Sequence, residues 1–213
     1  MNVRLWLGTV VMACAAAATA VAQTKPAVNL PPSPRGTAAI QVAGAWTGTG
    51  EDRRYTNGLW ITVDYGRPIL RGRENIFGSG ATYGKTVNPD APLWRAGAND
   101  TTRLTTQATL VIGDKTLAPG VYNVLADLKE GAWTLVLSTQ PVQPKYDPND
   151  KVLLYGAYNY DPKFDVLRTP MRLSTSSMSI EQFTIGFANM KGNQGSLYMS
   201  WDRTIAMVDF AAK

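Results

Sequence analysis

The stretch Leu59-Trp60-Ile61-Thr62-Val63-Asp64-Tyr65 alternates in side-chain character without a break. Leu59, Ile61, Val63 and Tyr65 share one face, the pattern of a strand with one side buried. The rest of the chain repeats this design. β-like runs cover 38–46, 102–112, 121–126, 133–138, 152–158, 164–173, 182–190, 197–201 and 204–210. Turn signals separate many of them: Gly113-Asp114-Lys115, Pro119-Gly120, Lys129-Glu130-Gly131, Asp161-Pro162 and the Gly-rich run 191–195. No window of about eleven residues carries a helical period of about 3.6. A short helix is expected only at 176–182, where Ser177 to Glu181 has weak capping character. The pattern predicts an all-β chain of about nine to eleven strands, a single antiparallel β-sandwich or flattened barrel. Within it, Trp60, Trp133, Tyr155, Phe187 and Trp201 fall in strands and are expected in the core.

The first 22 residues have a different logic. Arg4 supplies a positive start, Leu5 to Ala18 an apolar run, and Ala20-Val21-Ala22 a small-x-small cleavage pattern with Gln23 as the mature first residue. The apolar run falls short of the about 20 residues a spanning helix needs, so no transmembrane helix is expected after cleavage. Cys14 lies inside that run behind the bulky Met12, a poor lipoprotein box. The expectation is soluble export, periplasmic or secreted. Residues 23–35 hold Pro26, Pro31, Pro32 and Pro34 and read as an extended tether. The sandwich domain then occupies 36–213, long enough to bury roughly 70% of its unfolded surface in one core.

Two missing residue types exclude whole chemistries. The single cysteine is Cys14, and the chain has no histidine. The mature domain therefore has no disulfide framework, no Ser-His-Asp or Cys-His machinery, and none of the usual ligands for zinc, copper or haem. No metal or cofactor is expected. The net charge of +5 includes Arg4, leaving +4 after cleavage, and charged residues make up only 17% of the chain. Nucleic acid binding wants a denser basic stripe than that. An anionic or carbohydrate small ligand fits better.

Between the strand ending at Tyr65 and the strand region starting at Thr102 lies a long segment with no period of its own. It carries Arg67, Arg71, Arg73, Lys85 and Arg95, interleaved with Tyr65, Phe77, Tyr83 and Trp94, and six glycines let the backbone turn. Long irregular loops inside compact domains are usually functional or disordered, and the aromatic content argues against disorder. Two uses of the cations are open. The planar guanidinium suits carboxylate, sulfate or phosphate, with Tyr83 or Trp94 stacking on a sugar ring. Alternatively the arginines brace the loop by bonding Asp64, Glu74, Asp90, Asp100 and backbone carbonyls. Trp94 either walls a pocket with Asn99 and Asp100 as polar anchors, or plugs one end of the sandwich.

The order of motifs resembles a known family. Ile61-Thr62-Val63-Asp64-Tyr65 leads into Gly66-Arg67-Pro68 and Arg71-Gly72-Arg73. Ile76-Phe77-Gly78, Tyr83-Gly84-Lys85 and Trp94-Arg95-Ala96-Gly97-Ala98-Asn99 follow. Farther on come Leu117-Ala118-Pro119-Gly120-Val121-Tyr122, Trp133-Thr134-Leu135, Asp165-Val166-Leu167-Arg168, Phe187 to Met190, and Leu197 to Trp201. Together, across residues 34–211, they resemble the bacterial exported family catalogued as domain of unknown function 2911. An extra stretch at 44–58 departs from its pattern. The resemblance implies an exported β-rich domain and brings no activity and no catalytic residues.

Three further constellations are weaker. Ser79 to Thr86 misses a phosphate-binding loop by one residue, and Pro89 stops the helix that such a loop requires. Asp147-Pro148-Asn149-Asp150 lacks the ligand count of a calcium loop and reads as a turn. Asp64 and Asp100 flank the long loop and are the pair that a carboxylate-dependent glycan hydrolase would use. The leading reading remains a non-enzymatic binding or structural module of the cell envelope, with its site at Tyr65–Thr102.

Overall fold

A computed structural model of the protein describes residues 29–213. The expected signal peptide and the first six residues of the expected tether lie outside this range. Twelve strands follow in chain order: β1 (Arg35–Val42), β2 (Ala45–Thr47), β3 (Arg54–Thr56), β4 (Leu59–Gly66), β5 (Arg103–Thr106), β6 (Leu110–Ile112), β7 (Lys115–Leu117), β8 (Gly120–Asp127), β9 (Thr134–Ser138), β10 (Asp165–Pro170), β11 (Arg172–Lys191) and β12 (Gln194–Ala212). One sheet has the order β1-β4-β5-β8-β9-β10, the second β11-β12-β6-β7, and every pairing is antiparallel. The all-β sandwich expected from the alternation is the architecture found.

The core forms where the apolar faces of the two sheets meet. Ile61, Val63 and Tyr65 of β4 join Leu104, Val124, Ala126, Leu135 and Leu137 from the first sheet. The second sheet answers with Phe183, Ile185, Leu197, Met199, Trp201 and Val208. The Tyr65 hydroxyl crosses between the layers, donating to the carbonyl of Ile185 at 3.2 Å. Trp60 corrects the expectation of a core tryptophan, being 45% exposed. The alternation itself explains this: with Leu59, Ile61 and Val63 facing inward, Trp60 must face outward.

Two segments differ from their expected form. Residues 152–158 make isolated bridges rather than a strand. Their backbone is held by buried side-chain amides instead of a ladder. Gln140 donates to the carbonyls of Val152 and Asn159, Gln143 to those of Asp150 and Leu153, and Asn159 to the same two as Gln143. This loop covers the outer face of the first sheet, where Ala157 packs with Leu125, Val136 and Leu93.

The expected helix at 176–182 is the bulged middle of β11. Five steps along β11, from Thr175 to Ile180, match only two along β12, from Thr204 to Asp202. The Ser176 hydroxyl accepts from the Met178 N–H at 3.2 Å, so the serine side chain serves a backbone group that the ladder leaves over. Asp202, opposite the bulge, turns left-handed with φ 49°. Glu181 and Phe183, which follow the bulge, bond to the start of the long loop.

Candidate functional site

The long loop is fastened at both ends to strands of different sheets. Leu70 N–H donates to Glu181 O at 2.8 Å, and Phe183 N–H to Pro68 O at 2.9 Å, which ties the loop start to β11. Trp94 exchanges two backbone bonds of 2.8 Å with Ala126 of β8. Just outside these anchors, Gly66 and Gly97 bring two backbone segments into contact. A Cβ on Gly66 would stand 2.0 Å from the carbonyl oxygen of Ala98.

The cations mostly face the protein's own carbonyls. Arg67 donates to Phe183 O and to the Thr184 hydroxyl, and Arg71 to Pro32 O. Arg73 donates through Nε to Leu70 O at 2.9 Å and through Nη2 to Ile69 O at 2.7 Å, with its guanidinium 5.6 Å from the centroid of Trp201. Arg95 donates to Asn99 O at 2.9 Å and lies over Tyr158. Asn99 reaches Ser33 O, and Asp100 pairs with Arg35 at 2.6 Å, so the described end of the tether is held against the loop. The bracing is by carbonyls, and among the described residues none of Arg67, Arg71, Arg73 and Arg95 forms an ion pair.

Trp94 is 1% exposed and takes the role of a plug. Phe77, Trp133, Phe183 and Trp201 surround it with ring centroids 5.0–6.4 Å away. Tyr83 closes the cluster by accepting a hydrogen bond of 2.8 Å from Trp133 Nε1. Burial pushes the Tyr83 phenol up; the Trp133 bond opposes this and the Glu130 charge adds to it.

Three cavities open around this aromatic cluster. The largest, about 610 Å³, lies between the loop and the β11 bulge and is lined by Arg73, Glu74, Asn75, Phe77, Tyr83 and, from across the cleft, Asp202 and Arg203. A second of about 260 Å³ lies beside Trp94, Arg95 and Asn99, and a third of about 110 Å³ beside Tyr83, Lys85 and Trp94. Of the sequence-predicted ligand contacts, Arg73, Tyr83, Lys85, Trp94, Arg95 and Asn99 thus line at least one of these spaces, while Arg67, Arg71 and Asp100 line none of them.

The 610 Å³ cleft is of the size that small-molecule sites have, about 300–1,000 Å³. Its rim carries two cations, Arg73 and Arg203, and two carboxylates, Glu74 and Asp202. Thr175, Ser179 and Thr204 add hydroxyls. Ser179 donates to Asp202 Oδ1 at 2.8 Å, and Arg203 Nη1 to Ser177 O at 3.0 Å, which leaves the remaining Arg203 donors to solvent. Asn75 and Asp202 hold left-handed backbone at φ 47° and 49°, a conformation that Asn and Asp tolerate better than most residues. The contribution of β11 and β12 was missed in the sequence. Its signals were the Asp202-Arg203 pair interrupting an apolar alternation and, elsewhere in the chain, the serine-rich run 174–179.

The weaker constellations take ordinary roles. Gly80 N–H donates to the Glu130 carboxylate at 2.8 Å, so the segment resembling a phosphate loop is filled by the protein's own anion. Asp147 and Asp150 accept from the backbone N–H groups of Asn149, Val152 and Leu153, the geometry of turns. Asp64 accepts from the Thr37 hydroxyl and Asp100 from Arg35, both away from the cleft. Among the described residues no three acidic side chains gather as a metal would require, and no helix is long and apolar enough to cross a membrane.

Fold and site together define a β-sandwich with a polar cleft at one end, built from an irregular loop and a bulged ribbon. The chain belongs to the family described as a protein of unknown function, DUF2911, whose sequence model matches residues 51–210. The match starts within the 44–58 insertion, so β1 and β2 lie before it, a shorter span than the motifs alone implied. Neither the curated proteins nor the solved structures give a match.

Proposed function

We propose that this protein is an exported, non-enzymatic binding module of the cell envelope, and that its 610 Å³ cleft holds a small hydroxyl-rich ligand such as a sugar. Export rests on the Met1–Ala22 pattern. The observation that carries the ligand class is the balance of charge at the rim. Arg73 and Arg203 are offset by Glu74 and Asp202, so the cleft offers strong donors and strong acceptors with no net charge. A ligand that both donates and accepts, as every sugar hydroxyl does, meets both sets; a simple anion meets repulsion from the acids.

A thermal-shift screen of the mature protein against neutral sugars, sugar acids and phosphates tests this, because a ligand that binds only the native form raises its melting temperature. The expected result is a rise with sugars that is lost in Arg203→Ala, a change at an exposed side chain. A flat response to all classes at millimolar concentration, or a rise confined to phosphates, overturns it.

A further inference from the structure

We infer that the ligand is a sugar chain of at least two units, straddling Arg73. This rests on the proposed sugar-binding cleft and extends it to a second compartment. Arg73 lines both the 610 Å³ cleft and the 260 Å³ cavity beside Trp94. Its side chain is fixed from below by the carbonyls of Ile69 and Leu70 and rests on the Trp201 indole. It is therefore a low wall between two spaces, and its Nη1 has no protein partner among the described residues.

The smaller space is just below the size of an independent small-molecule site, about 300 Å³ at the lower limit. Its polar lining nonetheless repeats the logic of the larger. Thr86 offers a free hydroxyl, and Asn99, having donated through Nδ2 to Ser33 O, keeps its Oδ1 free to accept. Val87 supplies apolar surface for a sugar's C–H face, with Pro68, Trp94 and Trp201 buried behind it. The chain needs a bridge where it passes from one space to the other, and Arg73 Nη1 stands there as a donor to a linking or ring oxygen. A single sugar in the larger cleft would leave Thr86 and Asn99 unused.

Titration calorimetry with β-1,4-linked glucose and β-1,4-linked uronate oligomers of one to four units reads this directly. In the series that binds, the dimer is expected at least tenfold tighter than the monomer. Thr86→Trp, which fills the smaller space from an exposed position, should remove that gain and leave monomer affinity unchanged. Asn99→Gly, which keeps the left-handed backbone and removes the acceptor, should reduce it, so the test does not hang on one variant's folding. A monomer as tight as the tetramer, or a length gain that survives both substitutions, overturns this inference while the sugar-binding reading stands. Silence in both series removes both.

Discussion

Replacing Trp94 with alanine removes the side chain around which the loop closes. The backbone bonds to Ala126 do not involve the indole, so the loss is one of packing alone. A buried aromatic side chain withdraws about 150–250 Å² from water. At about 25 cal/mol per Å², 200 Å² corresponds to about 5 kcal/mol, reduced by the surface that alanine still buries and by whatever collapse the site allows. The edge-to-face contacts with Phe77, Phe183 and Trp133 overlap with this area and are not added to it. Measured Trp→Ala and Phe→Ala changes in cores cost about 3–5 kcal/mol, the range expected here. That is a large share of the about 5–15 kcal/mol holding a domain together. Urea unfolding followed by far-UV circular dichroism, which does not depend on the lost indole, gives the number; Trp94→Phe should lie between the two. A shift within about 0.5 kcal/mol would refute the reasoning, because surface side chains behave that way and plugs do not.

Three other outcomes follow from the geometry. Gly66→Ala places a methyl 2.0 Å from the Ala98 carbonyl oxygen, where only backbone can yield, and should cost at least about 1–3 kcal/mol in the same unfolding assay. Gln140→Leu leaves the carbonyls of Val152 and Asn159 and the N–H of Asp161 without their partner. A loss of at least about 1–3 kcal/mol is expected, with hydrogen exchange rising over 140–161 and not in β4 or β8. Asp209 is held below the usual carboxylate range by its hydrogen bonds from Arg172 and then Ser196. A carboxylate depressed in the folded state stabilises it above its unfolded value of about 3.9, and that contribution fades as pH falls through the folded value. An NMR titration should therefore find the Asp209 midpoint below about 3.9 and find it raised in Arg172→Ala.

What the sequence made legible depended on how each segment satisfies its backbone. β4 could be read from Leu59 to Tyr65 because its ladder and its buried face obey the same two-residue period. The 152–158 segment has the composition of a strand, but the carbonyls of Val152 and Leu153 go to the side-chain amides of Gln140, Gln143 and Asn159, and composition does not show that an amide side chain replaces a neighbouring strand. The 176–182 segment was unreadable for a related reason. Its excess residues make sense only against β12, whose register sets the bulge. The candidate cleft divides along the same line. Arg73 and Tyr83 stood out on a loop whose aromatics and cations are close in sequence, whereas Asp202 and Arg203 arrive from a strand more than a hundred residues away that only the fold brings within reach.

The arginines of the loop illustrate why composition alone left their use open. An irregular segment has carbonyls without a ladder, and burying them unbonded costs more than a typical hydrogen bond returns. A guanidinium presents several donors on one planar group, so it can serve two such carbonyls at once, as Arg73 does with Ile69 and Leu70. Bracing and binding are then not exclusive for one side chain. Arg67, Arg71 and Arg95 brace the loop but do not line the larger cleft. Arg73 braces through Nε and Nη2 while standing at the cleft edge, which holds its remaining donor in a fixed position. A ligand meeting that donor need not pay for ordering a free arginine, whose long side chain would otherwise cost up to about 2 kcal/mol of rotamer freedom. The rigidity that makes the loop structural is therefore what would let it recognise a ligand.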